Sequence, residues 1–73
     1  MPLTATTYED QIGETAGLVW HALKSNGSQS LTKLTKLIDA PPNVVMHAIG
    51  WLAREGKIDF EENGRTRVVS LRQ

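Results

Sequence analysis

The stretch Ser30–Ile58, SLTKLTKLIDAPPNVVMHAIGWLAREGKI, decides the fold. Within it Leu31, Leu34 and Ile38 recur at helical spacing, which predicts a short second helix over 31–38, with Leu37 off the apolar stripe. Ser30 and Thr32 are the residue types that cap a helix start. The echo LTKLTK is too short to be a repeat and reads as an amphipathic helix. Asp39-Ala40-Pro41-Pro42 ends that helix, because a residue preceding proline disfavours helical geometry. Pro42 suits the first turn of a new helix, where a missing N–H costs nothing. Val45, Ala48, Ile49 and Leu52 then follow at i, i+3, i+4 and i+7, and Gly56 supplies a stop, so a third helix is expected over 42–55.

Working outward, Thr6-Thr7-Tyr8-Glu9 fits a capping box, and Ile12, Ala16, Val19 and Leu23 share one face beyond it. Tyr8 is expected on the inner side, and Trp20 at its edge is expected to pack in the core. Asn26-Gly27 provides a left-handed closure, giving a first helix over 7–25 after a flexible lead-in, 1–6. On the other side, KIDFEE and RTRVVSL flank Asn63-Gly64, the strongest short-range hairpin signal, since both residues tolerate the positive φ of a type I′ turn. Strands are expected over 57–62 and 65–71. In that register Glu62 faces Arg65, Phe60 faces Arg67 and Ile58 faces Val69, with Ile58, Phe60, Val69 and Leu71 as the apolar side.

Three helices, a short break between the second and third, and a terminal hairpin make an α+β, mainly helical layout, the winged helix-turn-helix, filling 1–73 as one domain. The chain resembles small, stand-alone bacterial winged-helix domains of unknown function, the DUF2582 type. The resemblance rests on Leu34 and Ile38, then Val45, Ala48, Ile49 and Leu52, then Gly56 and Ile58 opening the wing. It departs from many such turns in carrying Asp39 where glycine is common. The resemblance implies the fold and leaves the function open, because winged helices bind proteins as well as DNA.

Bulk properties narrow the classes. A chain of 73 residues has room for one hydrophobic core. Eight basic and eight acidic side chains give a net charge of zero, whereas a dedicated nucleic-acid binder usually shows a basic surplus. Cysteine is absent, which excludes disulfides and thiolate metal sites. Met1 to Thr7 does not resemble a signal peptide, and no apolar run approaches the roughly 20 residues of a membrane span, so a cytoplasmic protein is expected.

No catalytic constellation is visible, and neither a cofactor nor a metal is expected. His21 and His47 lie on different helices without metal-ligand spacing, and His21 falls on a polar side. The serines have no elbow-type framing, and the glycines form no phosphate loop. Glu61 and Glu62 are consecutive strand residues and point to opposite faces, so they are wing charges rather than a carboxylate pair.

The outward face of the third helix carries the functional question. Opposite its core stripe lie Asn43, His47, Gly50 and Arg54, flanked by Val44 and Trp51 on one side and Met46 on the other. A DNA-reading helix needs arginine, lysine, asparagine or glutamine there. Only Arg54 is fully charged, and it sits in the last turn. The set Val44, Met46, His47, Gly50 and Trp51 instead suits a protein interface, and the expected partner is a second copy of the chain. A competing reading folds Trp51 onto the first helix or the wing to finish the monomer's own core. The alternative function is a DNA-binding transcriptional regulator. It would use Asn43, His47 and Arg54, with Arg65 and Arg67 of the wing and Lys33 and Lys36 of the second helix on phosphates. Against it, Arg65 and Arg67 are expected to pair across the hairpin, with the Arg67 stem on Phe60.

Overall fold

The computed structural model describes residues 7–72. Its elements run α1 (Tyr8–Asn26), β1 (Gln29–Ser30), α2 (Leu31–Leu37), α3 (Pro42–Arg54), β2 (Ile58–Asn63) and β3 (Thr66–Leu71). The three helices and the break between the second and third fall within one residue of the expected bounds, and a terminal hairpin follows them. Each local signal has a visible cause. α1 opens on a reciprocal capping box in which the Asp10 N–H donates to Thr7 Oγ1 at 3.0 Å and the Thr7 N–H donates to Asp10 Oδ2 at 3.3 Å. This box sits one residue later than the expected one; Thr6 and the lead-in fall outside the described residues. Gly27, at φ 79°, closes the helix by donating to the Leu23 carbonyl. Ser30 caps α2 by accepting from the Lys33 N–H. Pro42 opens α3 and Gly56, at φ 73°, follows its end.

The sheet holds one strand more than the hairpin alone. Gln29–Ser30, expected as a link, pairs antiparallel with Val69 and Val68, so the order is β1-β3-β2 and β3 is central. Two residues carry too little alternation to announce a strand; the pairing follows from α2 being docked beside the wing.

The hairpin register also differs from expectation. Asn63 pairs with Thr66, Glu62 with Arg67, Phe60 with Val69 and Ile58 with Leu71. The turn therefore closes over Gly64-Arg65 rather than Asn63-Gly64. A type I′ turn needs positive φ at both central residues, and here only Gly64, at φ 68°, has it. Positive φ at the first central residue alone is the type II′ pattern, which also matches the strand twist and spares Asn63 the left-handed region. The pairing moves by two residues, so the same side chains stay on the inner face. Ile58 and Val69 are buried there and Leu71 half-buried, but Phe60 is 42% exposed.

The core joins all layers. Leu34, Ile49, Val19, Val45 and Val69, its largest fully buried side chains, come from α2, α3, α1 and β3. Ala16, Leu23, Ile38, Ala48, Leu52 and Ile58 complete it. Tyr8 and Trp20 do not join it. Tyr8 is 42% exposed at the start of α1. Trp20 is half-buried, edge-on to the His21 ring, with Lys24 Nζ 4.8 Å from its ring centre. At the margin of so small a core the ring is partly covered by a neighbouring cation, in a groove it shares with Leu23 and Leu71.

Candidate functional site

At 3.6 residues per turn, the exposed residues of α3 beyond Pro42 follow one another around its outer half in the order Met46, Gly50, Asn43, Arg54, His47, Trp51. α1 and α3 form the most extensive helix–helix contact, and it defines one border of this face. The Trp51 side faces α1, and Trp51 lines a shallow, almost wholly apolar groove with Glu9, Ile12 and Gly13. The Met46 side faces the wing, where Leu31, Met46, Ile49, Gly50 and Phe60 line a second groove closed by Glu62 and Arg67.

Trp51 remains 51% exposed and Met46 45% exposed, so neither completes the monomer's core. Val44 has to be taken off this face. It is 3% exposed, because it stacks one turn before Ala48 and the two turn toward the helical layer. The buried arc of α3 is wider on the α1 side than a stripe of Val45, Ala48, Ile49 and Leu52 suggests. Gly50 is open, since a Cβ built on it meets nothing within 4 Å.

The polar residues proposed to read bases are engaged within the molecule. Tyr8 Oη lies 2.8 Å from His47 Nδ1, with the rings edge-on, and Asn43 Nδ2 donates to the same hydroxyl at 3.4 Å. One exposed tyrosine at the start of α1 thereby holds two of the three polar residues of the face. Sequence spacing gave no sign of this clamp, because it depends on how α1 crosses α3. Among the described residues Arg54 is the one cation of the outward face, and it has no ion-pair partner there. Lys33 and Lys36 are exposed on α2, and Arg65 is exposed at the wing tip; none has an ion-pair partner among the described residues. Arg67 pairs with Glu62 at 3.5 Å, with both side chains more than half exposed, and contributes little to stability. Val69, not Arg67, stands opposite Phe60.

Among the described residues no group of three histidine, cysteine, aspartate or glutamate side chains is placed to hold a metal ion. No helix there is long and apolar enough to cross a membrane.

Residues 7–71 match the family described as winged helix-turn-helix domain (DUF2582). The chain belongs to this family. A relative in the archaeon Methanocaldococcus jannaschii, an uncharacterised protein, is 40% identical over 65 residues, covering 85% of this chain and 91% of the relative. That relative is archaeal, where the resemblance pointed to bacterial proteins. For a DUF2582 domain the match carries the three-helix-and-wing architecture described above and assigns no ligand.

The open position at Gly50 gives a direct check on the monomer. Gly50→Ala is expected to raise stability by about 1 kcal/mol, since alanine gains helix propensity and its methyl meets no neighbour. Urea unfolding at low micromolar concentration measures it. An unchanged or lowered midpoint would mean that this position is already filled.

Proposed function

We propose that this domain is a non-catalytic protein-interaction module that pairs with a second copy of itself through the outward face of α3. The observation that carries the reading is Trp51, half-exposed at the α1 border of the face, with Met46 and the open Gly50 exposed at its wing border. Large apolar side chains left exposed on one helix face suit an interaction site, and tryptophan is the residue most enriched among interface hot spots. Tyr8 adds support by occupying His47 and Asn43, which a base-reading helix would need free. A two-fold interface would set Met46, Gly50 and Trp51 of one copy against the same residues of the other, with the backbones brought close at Gly50.

The test measures the sedimentation of the wild-type protein from low to high micromolar concentration, beside a titration with random-sequence duplex DNA at low salt. The reading expects a concentration-dependent dimer and no DNA binding. A monomer throughout overturns it. Binding to duplex that falls steeply with salt would favour a regulator acting through Arg54, Lys33, Lys36 and Arg65.

A further inference from the structure

The sheet has one long open edge. Because β3 is central, β2 is outermost, and among the described residues nothing pairs with its far side. β1, the opposite edge, is only two residues long, whereas β2 offers six without proline, glycine or a bulge. The backbone phase is fixed. The Arg72 N–H donates to the Lys57 carbonyl at 2.9 Å, one step beyond the Ile58–Leu71 pair. Hydrogen-bonded pairs alternate in an antiparallel ladder, so Lys57, Asp59, Glu61 and Asn63 direct their N–H and C=O groups to β3. Ile58, Phe60 and Glu62 direct theirs to the open side. Three donors and three acceptors thus stand in a row, the template on which another strand builds.

The side chains define what would build on it. β2 carries Asp59, Glu61 and Glu62 and no basic residue. Asp59 meets Arg72 at 3.8 Å and Glu62 meets Arg67, while Glu61 has no ion-pair partner among the described residues. A second copy pairing edge to edge would set these carboxylates against their equals, so the charge acts against self-association at this edge. The same charge favours lysine or arginine in a neighbouring strand. On the inner face Phe60 is exposed beside Leu31, Met46 and Gly50, which offers an apolar side chain a place to pack.

We propose that the free edge of β2 accepts an extended basic segment of a partner protein as a fourth, antiparallel strand. Its apolar residues would lie on the Phe60 face and its lysine or arginine residues beside Asp59 and Glu61. This surface shares Met46 and Gly50 with the proposed α3 interface but not Trp51, and the strand pairing itself does not require self-pairing of α3.

A capped seven-residue peptide of alternating lysine and valine, titrated into the full chain and followed by backbone NMR and amide hydrogen exchange, tests it. Exchange is expected to slow at Ile58, Phe60 and Glu62, and to change little at Asp59 and Glu61, whose N–H groups already bond to β3. Glu61→Lys, an exposed position that leaves the fold intact, is expected to weaken binding about tenfold. Glu62→Pro should weaken it by removing one outward donor without breaking the β3 ladder. A glutamate-valine peptide should not bind. The same binding should persist in Trp51→Glu, so failure here and failure of the self-pairing reading remain distinct. Four results would overturn the proposal: no protection at millimolar peptide, protection without the alternation, equal binding of the acidic peptide, or unchanged affinity in Glu61→Lys.

Discussion

Leu34→Ala is expected to lower the stability of the monomer by about 3–4 kcal/mol, the range for a leucine truncated where neighbours cannot collapse inward. Leu34 is fully buried and is the one buried residue within α2 itself, with Ile38 buried just beyond the helix end. α2 spans seven residues, far below the length at which a helix persists unaided in water. Leu34 is thus its main anchor, with Ile38 and the half-buried Leu31 beside it, and β1 follows it because Ser30 caps the helix. A domain of 73 residues has about 4–11 kcal/mol in total at common per-residue stabilities, so this one change removes a large fraction of it. Urea unfolding at two fixed low concentrations measures the loss, and a midpoint that does not move with concentration shows that self-association does not contribute. Leu37→Ala is the control. Leu37 is the next leucine of the same helix and is 50% exposed, so its truncation should change the midpoint by less than about 0.5 kcal/mol. Comparable losses in the two variants would mean that α2 is docked otherwise than described.

That pair of leucines also shows why so much of the fold was legible in the chain. Leu34 and Leu37 differ only in their phase against Leu31 and Ile38, and phase alone separates the buried one from the exposed one. Pro42 and the glycines at 27 and 56 act within one or two residues of where they stand, so their effects can be read locally. The hairpin shows the limit of local reading. Asn63-Gly64 suits a type I′ turn, yet Gly64 in the first central position of a type II′ turn serves as well. The choice rests on how Phe60 and Val69 line up over the helices. β1 was invisible because two residues have no period.

The candidate site divides in the same way. Met46, Gly50 and Trp51 were placed outward by helical phase, and they are outward. Val44 was misplaced because the width of the buried arc depends on how far α1 overlaps α3, which phase does not report. The Tyr8 clamp on His47 and Asn43 spans residues at opposite ends of the chain's helical layer. Only the packed structure brings those three together. Their engagement, more than the absence of lysine from α3, weakens the nucleic-acid reading.

Trp51→Glu is expected to abolish self-association while leaving the monomer folded. The side chain is 51% exposed, so truncating it removes little from the core, and the variant's urea midpoint at low concentration should stay within about 1 kcal/mol of wild type. In a two-fold interface every substitution is present twice. Loss of an interface tryptophan of hot-spot weight costs about 2 kcal/mol or more per copy, and burial of a new carboxylate in an apolar contact adds to it. Two such losses amount to about 4 kcal/mol, or about a thousandfold in the dissociation constant. Sedimentation equilibrium resolves a change of that size without ambiguity. Leu18→Glu separates surface hydrophobicity in general from this face in particular: Leu18 is 49% exposed on α1 and points away from the Trp51 groove, so its replacement should leave the dimer as it is. If Leu18→Glu yields the monomer and Trp51→Glu does not, the copies meet on the outer side of α1. The outward face of α3 would then be open to another ligand, and Arg54 would be the first residue to test on it.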